Sequence, residues 1–216
     1  MAAYHAAHFA EHPARAAVWR AVTAYLGPHL APDAEVLELG AAYCHWINNV
    51  RARRRVAVDM WPDLPRHAAP GVETIVLDIG EGLHSLADGS FDVVLASNLL
   101  EHFDPDAVPS VLSEVARVLR PRGQFVLIQP NFRYAYRSYF DDYTHRSVFT
   151  DVSLPALLRA GGFAIERLEP RFLPYSMQGY RLPIASWMVA AYLRSPVRPG
   201  SGQMLVIARK ERVDVR

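Results

Sequence analysis

The chain has 216 residues, of which 51% are hydrophobic and 21% are charged, and its formal net charge is +1. This is the composition of a globular protein with a substantial core, and it gives no global electrostatic case for nucleic acid or an acidic membrane as a partner. The single cysteine, Cys44, cannot form an internal disulfide and favours a reducing compartment. We find no signal-peptide pattern and no apolar run of membrane-spanning length, so we expect a cytoplasmic protein.

Strand and helix signals alternate along most of the chain. The alanine-rich residues 4–27 predict one or two N-terminal helices, within a helical cap over 1–30, that stop at Gly27-Pro28. Further helices are predicted over roughly 43–53, 108–119, 153–160 and 185–193, and strands over 35–39, 56–59, 74–77, 91–96, 124–129, 163–168 and 204–208. This alternation predicts an α/β fold, a parallel sheet with helices on both faces, in a single domain spanning 1–216.

Two acids follow neighbouring apolar runs. Glu38 precedes Gly40 at the end of the first predicted strand, and Asp59 ends the second strand 21 residues after Glu38 (59 − 38). The glycine permits a tight turn beside a ligand, and an acid at such a strand end can accept hydrogen bonds from ribose hydroxyls. The chain has neither a G-x-G-x-x-G motif nor a phosphate cradle, which favours a nucleoside without a pyrophosphate. The structural alternative is that these acids cap a helix or pair with Arg51 or Arg55.

The order and spacing of several motifs give the chain a family resemblance over about residues 34–210. They are Val36-Leu37-Glu38-Leu39-Gly40, Val58-Asp59, Leu77-Asp78-Ile79, Phe91-Asp92-Val93-Val94 and Leu119-Arg120-Pro121-Arg122-Gly123. Together they resemble the class I S-adenosylmethionine-dependent methyltransferases. The segment 97–102 is similar to the motif that follows strand four in many small-molecule members. The resemblance implies a doubly wound, Rossmann-like sheet of seven strands with the last strand antiparallel.

The same resemblance implies that S-adenosylmethionine is the cofactor and that residues at the strand ends hold it. Gly40 and its neighbours would contact the amino-acid portion, Asp59 the ribose diol, and Asp78 the adenine. The full predicted cofactor set is Glu38, Gly40, Ala41, Asp59, Met60, Asp78, Ile79, Asn98 and Leu99. The sequence departs from the family at the later glycines of the first loop, where Ala42 and Cys44 stand.

The segments 131–150 and 171–200 are predicted to choose the substrate. Residues 131–150 interleave aromatic and charged side chains after the fifth strand, which is typical of a lid over a pocket. Asn131 can hold an amine or a carboxylate through its amide, or it can form an Asx turn. Tyr175 can face the sulfonium with its ring or hydroxyl, or it can be a packed core residue.

The segment Asp141-Asp142-Tyr143-Thr144-His145 offers a general base. His145 can remove a hydroxyl proton while Asp141 or Asp142 orients its ring, although the cluster can also be a solvated cap on the next helix. No second ligand cluster is evident, so we predict no metal site. His102 is assigned to function or to packing with equal weight. Tyr4 and His5 are predicted to close the other side of the pocket.

The sequence allows three functions. The one that we expect is methylation of a small-molecule acceptor, which is the commoner use of these motifs. The second is a cyclisation in which the cofactor's own amine attacks its γ-carbon, which gives azetidine-2-carboxylate and methylthioadenosine. The third is a catalytically inactive nucleoside-binding protein. We expect a small-molecule substrate and no nucleic-acid or membrane partner, and a homodimer is compatible with the sequence.

Overall fold

The computed structural model describes residues 14–175 and 184–211. Seven strands lie in these residues: β1 Glu35–Leu39, β2 Arg54–Asp59, β3 Val72–Val76, β4 Phe91–Ser97, β5 Leu119–Pro130, β6 Phe163–Glu169 and β7 Gln203–Lys210. The helices are α1 Ala14–Leu26, α2 Leu64–His67, α3 Val108–Val118, α4 Phe132–Ala135, α5 Ser153–Ala160 and α6 Ser186–Arg194. Short 3₁₀ turns cover Gly27–His29, Ile79–Glu81, Leu100–His102 and Tyr139–Asp141.

The strands form one mixed sheet in the order β3-β2-β1-β4-β5-β7-β6. The first five strands run parallel to one another, and β7 runs antiparallel to both β5 and β6. This confirms the predicted seven-stranded, Rossmann-like sheet with its last strand antiparallel. Leu39 pairs with Val58 on one side and Ala96 on the other, so the chain leaves β1, β2 and β4 at one edge. In parallel α/β sheets, ligands bind at this edge.

Each face of the sheet is covered by its own apolar cluster. On one face, Leu112 and Val115 of α3 pack with Leu154 of α5 against alternate residues of the strands. On the other, Val22 of α1 and Leu193 of α6 pack with the fully buried Trp46. Both faces exclude water, which explains why the central strands are apolar at nearly every position.

One predicted element is wrong. Residues 43–53 do not form a helix; turns cover 42–49 and the chain is irregular until β2. Ala42 and Cys44 have positive φ values of 42° and 55°, and a right-handed helix cannot continue through such residues. The other predicted elements are present among the described residues, which include the predicted N-terminal helix only from residue 14 onward. Most of their ends lie within two residues of the prediction, although β5 begins five residues early, at Leu119. None of the helices in the described part of the chain combines the length and the apolar character that crossing a membrane requires.

Candidate functional site

A cavity of about 640 Å³ opens at the carboxyl ends of β1, β2 and β4. All nine residues predicted to hold the cofactor lie in its wall: Glu38, Gly40, Ala41, Asp59, Met60, Asp78, Ile79, Asn98 and Leu99. Its volume is in the range of small-molecule pockets. These positions are distant in sequence, and the register of the four parallel strands β1 to β4 brings them together.

The loop after β1 has left-handed backbone at Gly40 and also at Ala42 and Cys44, where the resembled family has glycines. Gly40 has a φ of +69°, and a Cβ added there would lie 3.1 Å from Cδ1 of Leu99. Ala42 and Cys44 also adopt positive φ, at a cost of about 1 kcal/mol or more each relative to glycine. Cys44 is fully buried, and burial raises the pKa of its thiol to about 12. The thiol is therefore inert and fills the space beneath the loop.

Both acids of the motif stabilise the loops that frame the cavity. The two carboxylate oxygens of Asp59 accept hydrogen bonds from the backbone N–H groups of Ala42 and Trp61, each at 2.8 Å. Glu38 accepts one from the N–H of Ile47 at 2.9 Å, and burial raises its pKa to about 8. A carboxylate oxygen has two lone pairs, so Asp59 retains acceptor capacity toward a ribose diol. The alternative, an ion pair of either acid with Arg51 or Arg55, is not seen among the described residues.

Asp78 and Asn98 also have partners within the protein. Asp78 accepts a hydrogen bond from the N–H of Gly80 at 2.8 Å and so caps the turn Ile79–Glu81. Asn98 has a φ of +48°, and its side-chain oxygen accepts from the amide of Gln203 at 2.9 Å. Left-handed backbone is more accessible to asparagine than to most residues. These contacts fix where both residues meet the cavity.

Asn131 does not line the cavity. It is fully buried, its side-chain oxygen accepts from the N–H of Arg133, and its amide donates to Asp151 and to the carbonyl of Pro170. The Asx-turn alternative describes this position, and the predicted contact with an amine or carboxylate of the substrate has no support in this geometry. The residue stabilises the connection between β5 and α4.

Tyr175 also lies outside the cavity wall. Its hydroxyl donates to the carbonyl of Tyr139 at 3.5 Å, and the two rings are nearly parallel with centroids 6.4 Å apart. This arrangement is that of a packed tyrosine, and it does not place the ring over a ligand in the cavity. Tyr4, His5 and part of the segment 171–200 lie outside the described residues.

The segment 142–145 meets the cavity through Tyr143 and Thr144, not through the predicted Asp142 and His145. Thr144 lines the cavity, and its hydroxyl donates to Asp142 at 2.6 Å and contacts Nδ1 of His102 at 2.9 Å. His145 is buried and does not line the cavity, and its Nδ1 is hydrogen-bonded to the carbonyl of Tyr139 at 2.6 Å. That carbonyl orients the ring, since the Asp142 carboxylate is 3.9 Å away from Nε2. Asp142 and His145 themselves do not line the cavity.

The histidine exposed to the cavity is His102, in the turn after β4. Burial, and to a lesser extent the neighbouring His145, lower its pKa to about 4, so the imidazole is neutral near pH 7. The two rings meet edge to face with centroids 5.0 Å apart. Glu101, also in this turn, is fully buried, and burial raises its pKa to about 8. The structure thus brings Glu101, His102 and His145 together where no ligand cluster was predicted.

Further cavity residues were missed because they come from segments without a strand-end signal. Arg15 and Trp19 reach the cavity from α1, and Tyr143 and Arg146 reach it from the insertion after α4. Burial lowers the pKa of the Arg15 guanidinium, which still remains charged at physiological pH. A partly buried cation at this wall favours an anionic group on a ligand, such as a carboxylate. The aromatic, charged composition of 131–150 was the available signal for Tyr143.

A second cavity of about 610 Å³ lies at the opposite edge of the sheet. It is rich in arginine, but Arg53 is paired with Glu35, and Arg120 with Asp92. None of the predicted site residues lines it. The cavity at the carboxyl ends is therefore the better candidate, because it alone combines strand-end acids with a neutral imidazole.

Comparison with known proteins assigns a family. The sequence profile of a family described as a methyltransferase domain matches residues 9–168, about three quarters of the chain. No protein of curated function matches the chain in sequence.

Solved structures share the fold. An S-adenosylmethionine-dependent methyltransferase from Archaeoglobus fulgidus is 20% identical, with a TM-score of 0.66 over 89% of this chain and 94% of that one. One from Mesorhizobium loti is 19% identical, with a TM-score of 0.64 over 88% and 98%. The 1,6-didemethyltoxoflavin-N1-methyltransferase of Burkholderia thailandensis is 23% identical, with a TM-score of 0.59 over 90% and 79%. At these identities the likeness concerns the fold alone, and it is the family match that places the protein: the chain belongs to the methyltransferase-domain family.

Proposed function

We propose that the protein transfers the methyl group of S-adenosylmethionine to a small-molecule acceptor. The observation that carries the proposal is the single cavity wall shared by all nine predicted cofactor residues. The family match supports methyl transfer, and the structural neighbours from Archaeoglobus fulgidus and Mesorhizobium loti are S-adenosylmethionine-dependent methyltransferases.

The cofactor would bind along the ends of β1, β2 and β4. The Asp59 carboxylate suits the ribose diol, and the turn at Asp78 and Ile79 suits the adenine. Arg15, across the cavity, suits the methionine carboxylate, and Glu38 supplies negative charge near the ammonium and sulfonium. In this arrangement the reactive methyl group faces the remaining wall of the cavity.

That remaining wall is the acceptor side in our proposal. It consists of His102, Phe103, Tyr143, Thr144 and Arg146, which come from the turn after β4 and from the insertion after α4. The two segments are joined, because the backbone carbonyl of Glu101 accepts from the N–H groups of Arg146 and Ser147. The neighbour from Burkholderia thailandensis is named for N1-methylation of 1,6-didemethyltoxoflavin, which is an acceptor of the size that a cavity like this one admits.

Methyl transfer from S-adenosylmethionine does not require a covalent bond between the protein and the substrate. A nucleophilic atom of the acceptor attacks the methyl carbon, the carbon–sulfur bond breaks, and the sulfur leaves with the electron pair as the neutral thioether of S-adenosylhomocysteine. The protein contributes alignment of nucleophile and methyl group and the exclusion of water. In our proposal the acceptor wall around His102 and Thr144 aligns the acceptor with the methyl group and excludes water.

The cyclisation alternative has less support. Asn131 near the amino group and Tyr175 over the sulfonium would suit it, and neither residue lines the cavity. The acceptor wall also provides a place for a second substrate, which a cyclisation does not need. The inactive-binder alternative gains no support from the cavity. All nine predicted cofactor residues line it, together with the residues of the acceptor wall.

The experiment uses methyl-labelled S-adenosylmethionine, first alone and then with a panel of small hydroxyl- and amine-bearing acceptors. Products are separated and weighed by mass spectrometry. We expect S-adenosylhomocysteine and a labelled acceptor only when a suitable acceptor is present. Methylthioadenosine formed from the cofactor alone would replace the proposal by cyclisation. Cofactor binding without turnover on any acceptor would favour the inactive binder.

A further inference from the structure

Three potential metal ligands meet at the acceptor wall, where His102 lines the cavity and Glu101 and His145 lie behind it. Glu101 and His102 come from the turn after β4, and His145 comes from the insertion, 43 residues beyond His102 (145 − 102). One ligand atom from each lies within 4.8 Å of the other two. The Oε1 atom of Glu101 is buried and has no hydrogen-bond partner among the described residues. Leaving such an acceptor unsatisfied costs about 1–3 kcal/mol, so a ligand that contacts this atom would be favoured.

Hydrogen bonds fix the tautomer of His102. The Thr144 hydroxyl has one hydrogen, which it donates to the Asp142 carboxylate at 2.6 Å. Its oxygen must then accept from Nδ1–H of His102 at 2.9 Å. The lone pair of the His102 imidazole is therefore on Nε2.

The ring of His145 is held in the same tautomer. Its Nδ1 lies 2.6 Å from the carbonyl of Tyr139, which can only accept, so Nδ1 carries the hydrogen and Nε2 the lone pair. Glu101 is oriented as well, since the amide of Gln129 donates to its Oε2 at 2.9 Å and leaves Oε1 free. Imidazoles whose other nitrogen donates to a carbonyl or hydroxyl, beside a hydrogen-bonded carboxylate, are the usual surroundings of a metal ion.

We propose that Glu101, His102 and His145 bind a divalent first-row transition-metal ion at the wall of the cavity. Two imidazoles and one carboxylate suit Mn²⁺, Fe²⁺, Co²⁺ or Zn²⁺ better than Mg²⁺ or Ca²⁺, which prefer oxygen ligands. Ligand atoms about 2.1 Å from a shared ion lie about 3–4 Å apart, so binding would draw the three side chains together by about 1 Å.

The ion would give the proposed methyl transfer a way to activate an acceptor, and this part rests on the proposed function. Of the three ligands, only His102 lines the cavity, so an open coordination position would face the acceptor there. An acceptor hydroxyl bound to the ion loses its proton more easily to solvent, as metal-bound water does. The resulting oxygen attacks the methyl carbon, and the sulfur leaves as the thioether. The proposal therefore assigns oxygen-bearing acceptors to this site.

Metal binding is tested directly, without an acceptor. The full chain, freed of metal with a chelator, is titrated with Mn²⁺ by calorimetry, and Co²⁺ binding is followed by its visible absorption. We expect one Mn²⁺ ion to bind per chain. The affinity for Mg²⁺ should be lower than that for Mn²⁺ by about tenfold or more. Glu101→Gln and His102→Asn should each weaken Mn²⁺ binding by about tenfold or more, whereas the exposed-site controls Glu81→Gln and His84→Asn should match the wild type. Thermal melting of each variant establishes that it is folded.

Absence of stoichiometric binding of Mn²⁺ and Co²⁺ by the wild type would overturn the proposal, and so would equal affinity in the folded Glu101→Gln and His102→Asn variants. Cofactor binding is measured on the metal-free protein in parallel. A protein that binds S-adenosylmethionine and no metal would refute the ion alone. One that binds the metal and no cofactor would refute the proposed function alone.

Discussion

At the scale of single residues, the strand-end acids have two duties. Asp59 bridges the loops after β1 and β2 through Ala42 and Trp61, and it also lines the cavity. Glu38 is nearly fully buried, at 4% exposure, and accepts one backbone hydrogen bond. The sequence predicts that both acids lie at strand ends, because the strand pattern is clear. It does not show the protonation state of Glu38, which depends on burial.

Glu38 gives the first prediction. Because burial raises its pKa to about 8, it is mostly protonated near pH 7 in the free protein. A bound sulfonium and ammonium would favour its charged form, so cofactor binding should release up to about one proton and strengthen between pH 6 and 8. Calorimetry in buffers of different ionisation enthalpy measures this release.

The matched variant is Glu38→Gln, which keeps an acceptor for the N–H of Ile47 and has no titrating proton. Its apparent binding enthalpy should be the same in every buffer. If the wild type shows no buffer dependence, or if the variant shows the same dependence, Glu38 is not the group that ionises.

At the scale of elements, buried polar contacts explain why Asn131 lies outside the cavity wall. The segment after β5 was predicted to present Asn131 to the substrate, because long loops beside a sheet edge usually carry function. The side chain instead caps α4 and ties it to Asp151 and Pro170. An Asx turn and a ligand contact need the same residue type, so sequence alone could not separate them.

Replacement of Asn131 by alanine should therefore act on stability. Loss of the cap and of two buried hydrogen bonds should lower the free energy of unfolding by about 2–3 kcal/mol. Cofactor affinity of the folded protein should change less than about twofold. Denaturant unfolding and calorimetry measure the two quantities.

Asn131→Ser is the control, since serine retains a capping oxygen and loses only the amide donors, and its loss should be smaller. Lost turnover in a fully stable Asn131→Ala protein would contradict this account and restore a substrate contact.

Helix α3 is joined to the segment after β3 by a charged group. Glu114 accepts from the N–H of Leu83 at 2.8 Å and from Arg117, and the Arg117 hydrogen bonds lower its pKa to about 2. A pKa lowered by folding adds stability that is fully present above about pH 4.5 and is lost as the pH falls toward 2. Glu114→Gln should thus cost about 1–2 kcal/mol at pH 7, and this difference should shrink below pH 4.

Urea unfolding across this pH range measures the effect, with the exposed Glu81→Gln as a reference expected to change stability by less than about 0.5 kcal/mol. A Glu114→Gln deficit that stays constant down to pH 2.5 would show that the ion pair is not its source.

At the scale of the whole molecule, the sheet explains both the success and the limit of sequence reasoning. Period and length of the apolar runs predict the parallel strands, and these alone place Gly40, Asp59 and Asn98 at one edge. The meeting of Glu101 with His145 depends on how the insertion folds back, through the carbonyl of Glu101. No local pattern encodes such a contact. The single-domain organisation and a homodimer stay predictions.

The most direct test of the central claim is calorimetric titration of the protein with S-adenosylmethionine, with Asp59→Ala as the site variant. Asp33→Ala, at the cavity on the opposite sheet edge, is the control. We predict one cofactor per chain, affinity weakened by about tenfold or more in folded Asp59→Ala, and affinity within about twofold of wild type in Asp33→Ala. Absence of saturable binding by the wild type, or unchanged affinity in Asp59→Ala, would contradict the account.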